Sequence, residues 1–118
     1  MPATVLIVDD HPSFRASARR LLEAEGFSVV GEAPDGAAAL ASVAALAPQV
    51  VLLDVALPDL DGFEVARRLT ASAGGGPAVV LTSSRDWASI GTLVADSGAR
   101  GFVAKDDLSG AALAALVA

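Results

Sequence analysis

A chain of 118 residues is the size of one domain and is long enough to close a single hydrophobic core. Its formal net charge of −6 gives no electrostatic footprint for gripping phosphate backbones, so direct nucleic-acid binding by this segment is not expected. No apolar run approaches the roughly 20 residues of a membrane-spanning helix, so no membrane association is expected, and the lack of cysteine excludes disulfides, thiolate metal sites and cysteine nucleophiles.

The first residues, Met1-Pro2-Ala3-Thr4, carry no basic segment, and the apolar run Val5 to Val8 ends at two aspartates. That pattern reads as a first strand and not as a signal peptide, which makes the cytoplasm the expected compartment. Phe14, Ala18, Leu21 and Leu22 recur at helical spacing and stop at Gly26. A second strand over Ser28 to Gly31 follows, then a helix that Asp35 can cap, running through Ala37, Leu40 and Leu46 and ending before Pro48. Val50 to Val55 makes the third strand, and Phe63 to Leu69 a third helix that dissolves into Gly74-Gly75-Gly76-Pro77. Ala78 to Thr82 is the fourth strand, about Asp86 to Ala95 the fourth helix, Gly101 to Val103 the fifth strand, and about Leu108 onward the fifth helix.

Strands alternating with helices indicate βαβ units and an α/β fold, a single five-stranded parallel sheet covered on both faces and joined by right-handed crossovers. One domain over residues 1–118 is expected. In such sheets function sits outside the carboxyl ends of the strands, where the strand order switches. Polar residues stand at four of those ends: Asp9 and Asp10 after the first strand, Asp54 in the third, Thr82 at the fourth and Lys105 after the fifth. Carboxylates held close repel unless a cation or proton intervenes, and oxygen donors with no His or Cys pair suit Mg²⁺. A carboxylate beside a metal, an ammonium and a hydroxyl can attack phosphorus to give an aspartyl-phosphate.

Val8-Asp9-Asp10, Asp54-Val55-Ala56-Leu57-Pro58 followed by Asp61-Gly62, Leu81-Thr82-Ser83 and Gly101-Phe102-Val103-Ala104-Lys105 occur in this order across essentially the whole chain. Together they resemble the receiver domain of two-component response regulators. The resemblance implies a flavodoxin-like (βα)5 fold with strand order 2-1-3-4-5. It implies that Asp54 is the phosphoacceptor, that Asp10 and Asp54 hold Mg²⁺ by their side chains with Asp9 acting largely through water, and that the Ala56 backbone carbonyl completes the protein ligands. Thr82 and Lys105 would contact the phosphoryl group, and Thr82 with Phe102 would form the switch. The implied function is a phosphorylation-controlled signalling domain whose fourth helix, fifth strand and fifth helix form the responding surface. Its implied partner is a histidine kinase or phosphotransfer protein, a homodimer is left open, and its only catalysis is its own phosphorylation and slow autodephosphorylation.

Two departures from the family pattern are Ala56, where a longer side chain is common, and Leu57, where methionine is frequent. Small residues at Ala56 and Ser84 either open the path of an attacking water or remove groups that would position it. The segments Asp9 to Arg15 and Gly98 to Asp106 resemble receivers that precede a helix-turn-helix DNA-binding domain. That leaves open both a receiver belonging to a longer regulator and a single-domain regulator.

Read singly, Asp9 and Asp10 are a solvated turn and helix cap, Thr82 a β-branched strand residue, Lys105 a solvated charge and Phe102 plain core. Order and spacing favour the joint reading. His11 reads as part of a loop and helix start with no second ligand, and Trp87 equally as a docking surface or ordinary packing. A haloacid-dehalogenase-type phosphohydrolase would want a second aspartate two residues after the first, where Ala56 stands. A nucleotide or flavin binder would want glycine in the turn Asp9 to Phe14, which has none. A receiver that has lost phosphorylation and serves as a constitutive interaction domain is opposed by the complete acceptor set.

Overall fold

In the computed structural model, residues 3–71, 76–84 and 87–117 are described, the side chains of residues 87–90 excepted. Strands and helices alternate: β1 (Thr4–Val8), α1 (Pro12–Ala24), β2 (Ser28–Ala33), α2 (Gly36–Leu46), β3 (Val50–Asp54), α3 (Gly62–Thr70), β4 (Ala78–Ser83), α4 (Trp87–Asp96), β5 (Gly101–Ala104) and α5 (Gly110–Val117). All strand pairings are parallel and the order is β2-β1-β3-β4-β5. The fold class and strand order implied by the sequence are therefore those observed.

Val5 to Val8, Val50 to Leu53 and Val79 to Leu81 are buried without interruption. Such unbroken apolar runs are what a strand needs when helices cover both of its faces. Strand alternation sorts these side chains into two layers. Leu6, Val8, Val51, Leu53, Val79 and Leu81 pack with Val65, Leu69 and Val94 from α3 and α4, while Val5, Ile7, Leu52, Val80 and Val103 pack with Ala18, Leu22 and Leu113 from α1 and α5.

Local chemistry sets the helix ends. Gly26 adopts φ 97°, in the left-handed region that closes α1 at little cost. Asp35 accepts a hydrogen bond from Ala38 N at 2.8 Å and starts α2 as its sequence position suggests, and Ala47 turns left-handed at φ 47° just before Pro48. The fifth helix begins at Gly110, two residues later than Leu108. Leu108 is extended, Ser109 Oγ accepts from Ala112 N at 3.0 Å, and the Glu25 carboxylate at the end of α1 accepts from Gly110 N. Residues 72–75 of the glycine-rich turn, Asp86 and the side chain of Trp87 lie outside the described residues. Among the described residues no helix is long and apolar enough to cross a membrane.

Because β1 pairs with β2 on one edge and β3 on the other, the winding reverses between β1 and β3. The crevice at their carboxyl ends is where Asp9, Asp10 and Asp54 emerge.

Candidate functional site

Asp9 leaves β1 wholly buried, its N–H donating to Ala33 O at 3.0 Å. Its Oδ1 accepts from His11 N at 2.8 Å and lies 3.0 Å from His11 Nδ1, and its Oδ2 lies 2.7 Å from Lys105 Nζ. Arg15, in the first turns of α1, donates from Nη1 to the Asp9 carbonyl at 2.5 Å and from Nε to Glu32 at 3.2 Å, which ties the end of β1 to β2. Asp10 is exposed, with Oδ1 3.0 Å from the same His11 Nδ1.

Asp54, the last residue of β3, is 3% exposed. Oδ1 accepts from Ala56 N at 3.1 Å and Oδ2 lies 3.1 Å from Lys105 Nζ. The following loop is folded back by a single antiparallel bridge between Ala56 and Asp61, and by Gly62 N donating to Val55 O at 3.0 Å. Gly62 is required there: a Cβ would collide with the Asp54 carbonyl oxygen and lie 2.6 Å from Val55 Cα. Asp59 anchors the same loop to α2, accepting from Gly36 N at 2.8 Å and Ala37 N at 2.9 Å.

Thr82 is paired in register with Asp54 on the neighbouring strand, so alternation puts the two side chains on one face. The Thr82 hydroxyl is buried and has no hydrogen-bond partner, a condition that costs about 1–3 kcal/mol. Lys105 opens the 3-10 turn Lys105–Asp107 and spans the cleft, with its ammonium 4.8 Å from the Phe14 ring centroid. Phe102 is half-buried. It is in register with Leu81 and packs against the layer under α3 and α4, whereas Thr82 is in register with Val103 on the other face. Ala56 and Ser84 are both exposed.

Burial pushes the Asp54 carboxyl above its ordinary range; the Ala56 N–H pulls it down, Asp9 pushes it up and Lys105 pulls it down, with a net rise. For Lys105 burial acts to lower the pKa, but hydrogen bonds and attraction from Asp9 and Asp54 overcome it and hold the ammonium above its usual value. One fixed cation thus serves two buried carboxylates, with a third beside them. Ligand atoms of Asp9, Asp10, His11 and Asp54 all lie within 4.8 Å of one another. That excess of oxygen donors over positive charge, next to an unpartnered buried hydroxyl, fits a hard divalent cation and an incoming anion.

Residues 5–117 match the model of the response regulator receiver domain. The chain belongs to that family. A Pseudomonas aeruginosa protein provisionally named a transcriptional regulator is 42% identical over 112 residues, covering 94% of this chain and 54% of its own length. The response regulator MprA of Mycolicibacterium vanbaalenii is 42% identical over 105 residues, covering 89% of this chain and 45% of its own. The chain therefore spans about half the length of these curated relatives. Among solved structures, the signal receiver domain of a Mycobacterium tuberculosis response regulator provisionally named NarL superposes with a TM-score of 0.86 at 38% identity, covering 98% of this chain and 96% of that one. As a receiver domain, the chain is a phosphorylation-controlled signalling module of two-component systems, and its acidic pocket of Asp9, Asp10 and Asp54 suits Mg²⁺.

The structure brings Asp9, Asp10, Asp54, Ala56, Thr82 and Lys105 to one strand-end crevice, while Phe102 lies on the other face of the sheet. It adds three that the sequence reading missed or set aside. Asp59 acts through backbone N–H groups far along the chain and Arg15 through the Asp9 carbonyl, and His11, read as a loop residue, is also the bridge between Asp9 and Asp10.

Proposed function

We propose that residues 1–118 form one receiver unit that acts in the cytoplasm and takes a phosphoryl group onto Asp54 from the phosphohistidine of a histidine kinase or phosphotransfer protein. The transfer is Mg²⁺-dependent and resets the surface of α4, β5 and α5 for an output partner. The observation that carries this reading is Asp54 itself: buried, 3.1 Å from Lys105 Nζ, and in register with a Thr82 hydroxyl that has no partner.

In the transfer, an Asp54 carboxylate oxygen supplies the electron pair for a new O–P bond as the P–N bond of the donor breaks. The imidazole nitrogen leaves with that pair and takes up a proton. Lys105, held protonated by its two carboxylates, turns from Asp54 to a phosphoryl oxygen while Asp9 keeps it in the cleft. Thr82 donates its hydroxyl to a second phosphoryl oxygen. The residues that would hold Mg²⁺ are Asp10 and Asp54 by their carboxylates, Ala56 by its carbonyl and Asp9 through water; when bound, the ion neutralises charge on the phosphoryl oxygens. Catalysis here is positioning and charge stabilisation, with the backbone N–H of Ala56 fixing the nucleophile.

Shifting a two-state surface from about 1:99 to 99:1 takes roughly 5.5 kcal/mol. New charge-assisted hydrogen bonds of about 1.5–3 kcal/mol each, from Thr82, Lys105 and backbone donors, supply that together. Since Thr82 and Phe102 lie on opposite faces of the sheet, the pull on Thr82 reaches Phe102 around the end of β4.

The test is intact mass after incubation with acetyl phosphate and Mg²⁺. The native protein gains one phosphoryl mass, Asp54→Asn gains none, and chelator abolishes the gain. Equal gain in Asp54→Asn places the chemistry elsewhere.

A further inference from the structure

Lys105 reaches farther across the cleft than any other site residue. It follows β5, the edge of the sheet, and its ammonium extends past the end of β4 to lie 3.1 Å from Asp54 Oδ2 and 2.7 Å from Asp9 Oδ2, at the ends of β3 and β1. A flexible stem so extended forfeits rotamer freedom and stays in place only while its head group is held. Under the proposed function both carboxylates that hold it are engaged elsewhere during transfer, Asp54 by the phosphoryl group and Asp9 by the metal through water. A third partner is not. The ammonium lies over the Phe14 ring, 4.8 Å from its centroid.

Phe14 starts the apolar stripe of α1, where Phe14, Ala18 and Leu22 recur at four-residue spacing and turn toward one layer of the core. Ala18 and Leu22 are buried completely, whereas Phe14, at the cleft end of the stripe, is only half-buried and keeps a ring face for the ammonium. The Lys105 side chain is itself only 16% exposed. The pair is thus largely withdrawn from water, where attraction between a cation and a ring face is strongest.

We propose that Phe14 is a positioning residue for phosphoryl transfer, its ring face keeping the Lys105 ammonium in the cleft as Lys105 passes from Asp54 to a phosphoryl oxygen. The attraction acts on the charge and not on one N–H, so the ammonium can turn from one oxygen to another without leaving the ring. A carboxylate would not serve in this place, because a fourth negative charge would oppose the incoming anion. An aliphatic side chain would fill the space without holding the cation. The inference rests on the proposed transfer to Asp54; Phe14 acts through Lys105 and takes no part in bond making.

The test compares the native protein with Phe14→Leu, which keeps an apolar filling, and Phe14→Tyr, which restores a ring face. NMR follows the Cε protons of Lys105 and the affinity for beryllofluoride in Mg²⁺, and intact mass follows the rate of phosphoryl gain from acetyl phosphate. In the native protein the ring current should move the Lys105 Cε protons upfield, a shift lost in Phe14→Leu and regained in Phe14→Tyr. Beryllofluoride affinity and phosphorylation rate should fall about three- to thirtyfold in Phe14→Leu, the attraction of a partly desolvated cation for a ring expressed as a ratio, and recover in Phe14→Tyr. If the native Cε protons show no upfield shift, the ring does not hold the ammonium and the proposal falls whatever the variants do. If Phe14→Leu matches the native rate and affinity, or Phe14→Tyr falls as far as Phe14→Leu, the ring is ordinary packing and this role alone is lost. A native protein that gains no phosphoryl mass would sink the proposed function and this role together.

Discussion

Along the β1–β3 side of the cleft the buried carboxylates of Asp9 and Asp54 are fixed by backbone donors, whereas along the β4–β5 side the Thr82 hydroxyl has no partner and Phe102 is only half-buried. Asp9 takes the N–H of His11, Asp54 that of Ala56, and Asp59 those of Gly36 and Ala37. The contrast teaches which half is made for chemistry and which for response. A nucleophile gains from being held in place before the donor arrives. A responding element needs an interaction left unmade until the ligand supplies it, because a ligand shifts an equilibrium only by contacts it makes better in one state.

The sharpest way to break the acceptor half is at Gly62, where the start of α3 meets the backbone of Asp54 and Val55. Backbone cannot yield as a flexible side chain can. Gly62→Ala should lower stability by about 1–3 kcal/mol, a loss of several degrees in the thermal midpoint, and slow phosphorylation of Asp54. An unchanged midpoint would mean that the loop is not held against β3 as described.

The response half should behave in the opposite sense. Thr82→Val replaces an unpartnered buried hydroxyl with a methyl group of similar size, and is expected to raise stability by about 1 kcal/mol. The same variant should still accept a phosphoryl group on Asp54. Urea unfolding reads the first expectation and intact mass the second; a destabilised Thr82→Val would show that the hydroxyl is already satisfied.

A smaller effect should mark Asp59. The N–H groups of Gly36 and Ala37 hold its carboxyl below the usual range. Its folded pKa thus lies under the unfolded one, so its contribution is complete above the unfolded carboxylate range and is lost as pH falls through the folded value. Asp59→Asn should therefore melt slightly below the native protein near about pH 7 and converge with it as the pH falls below the ordinary carboxylate range. A gap that stays constant over that range would show that the carboxylate charge is not what anchors the loop to α2.

What the sequence revealed of this site was set by strand ends. Asp9, Asp10, Asp54 and Thr82 each sit where an apolar run stops, and parallel strands carry such positions to one edge, so local pattern sufficed. Asp59 was invisible for a physical reason: its partners lie 22 and 23 residues away across a turn whose path no local period encodes. Arg15 reaches a carbonyl, which leaves no mark in the side-chain sequence. The start of α5 was misplaced because Leu108 looks like the first apolar residue of a helix, while the cap at Ser109 decides. Phe102 was recognisable as a residue of interest, but its face follows from the register with Leu81, which only the paired strands reveal.

The division of labour across the cleft is tested most directly by NMR with beryllofluoride and Mg²⁺ standing in for the phosphoryl group, comparing the native protein with Thr82→Val. In the native protein the amides of β5 and of the following turn, from Gly101 to Leu108, should shift along with those around Asp54. In Thr82→Val the shifts around Asp54 should persist while those from Gly101 to Leu108 shrink by more than half. Equal shifts over Gly101 to Leu108 in both proteins would contradict the account, since the response would then reach β5 without the hydroxyl that the structure leaves waiting for a partner.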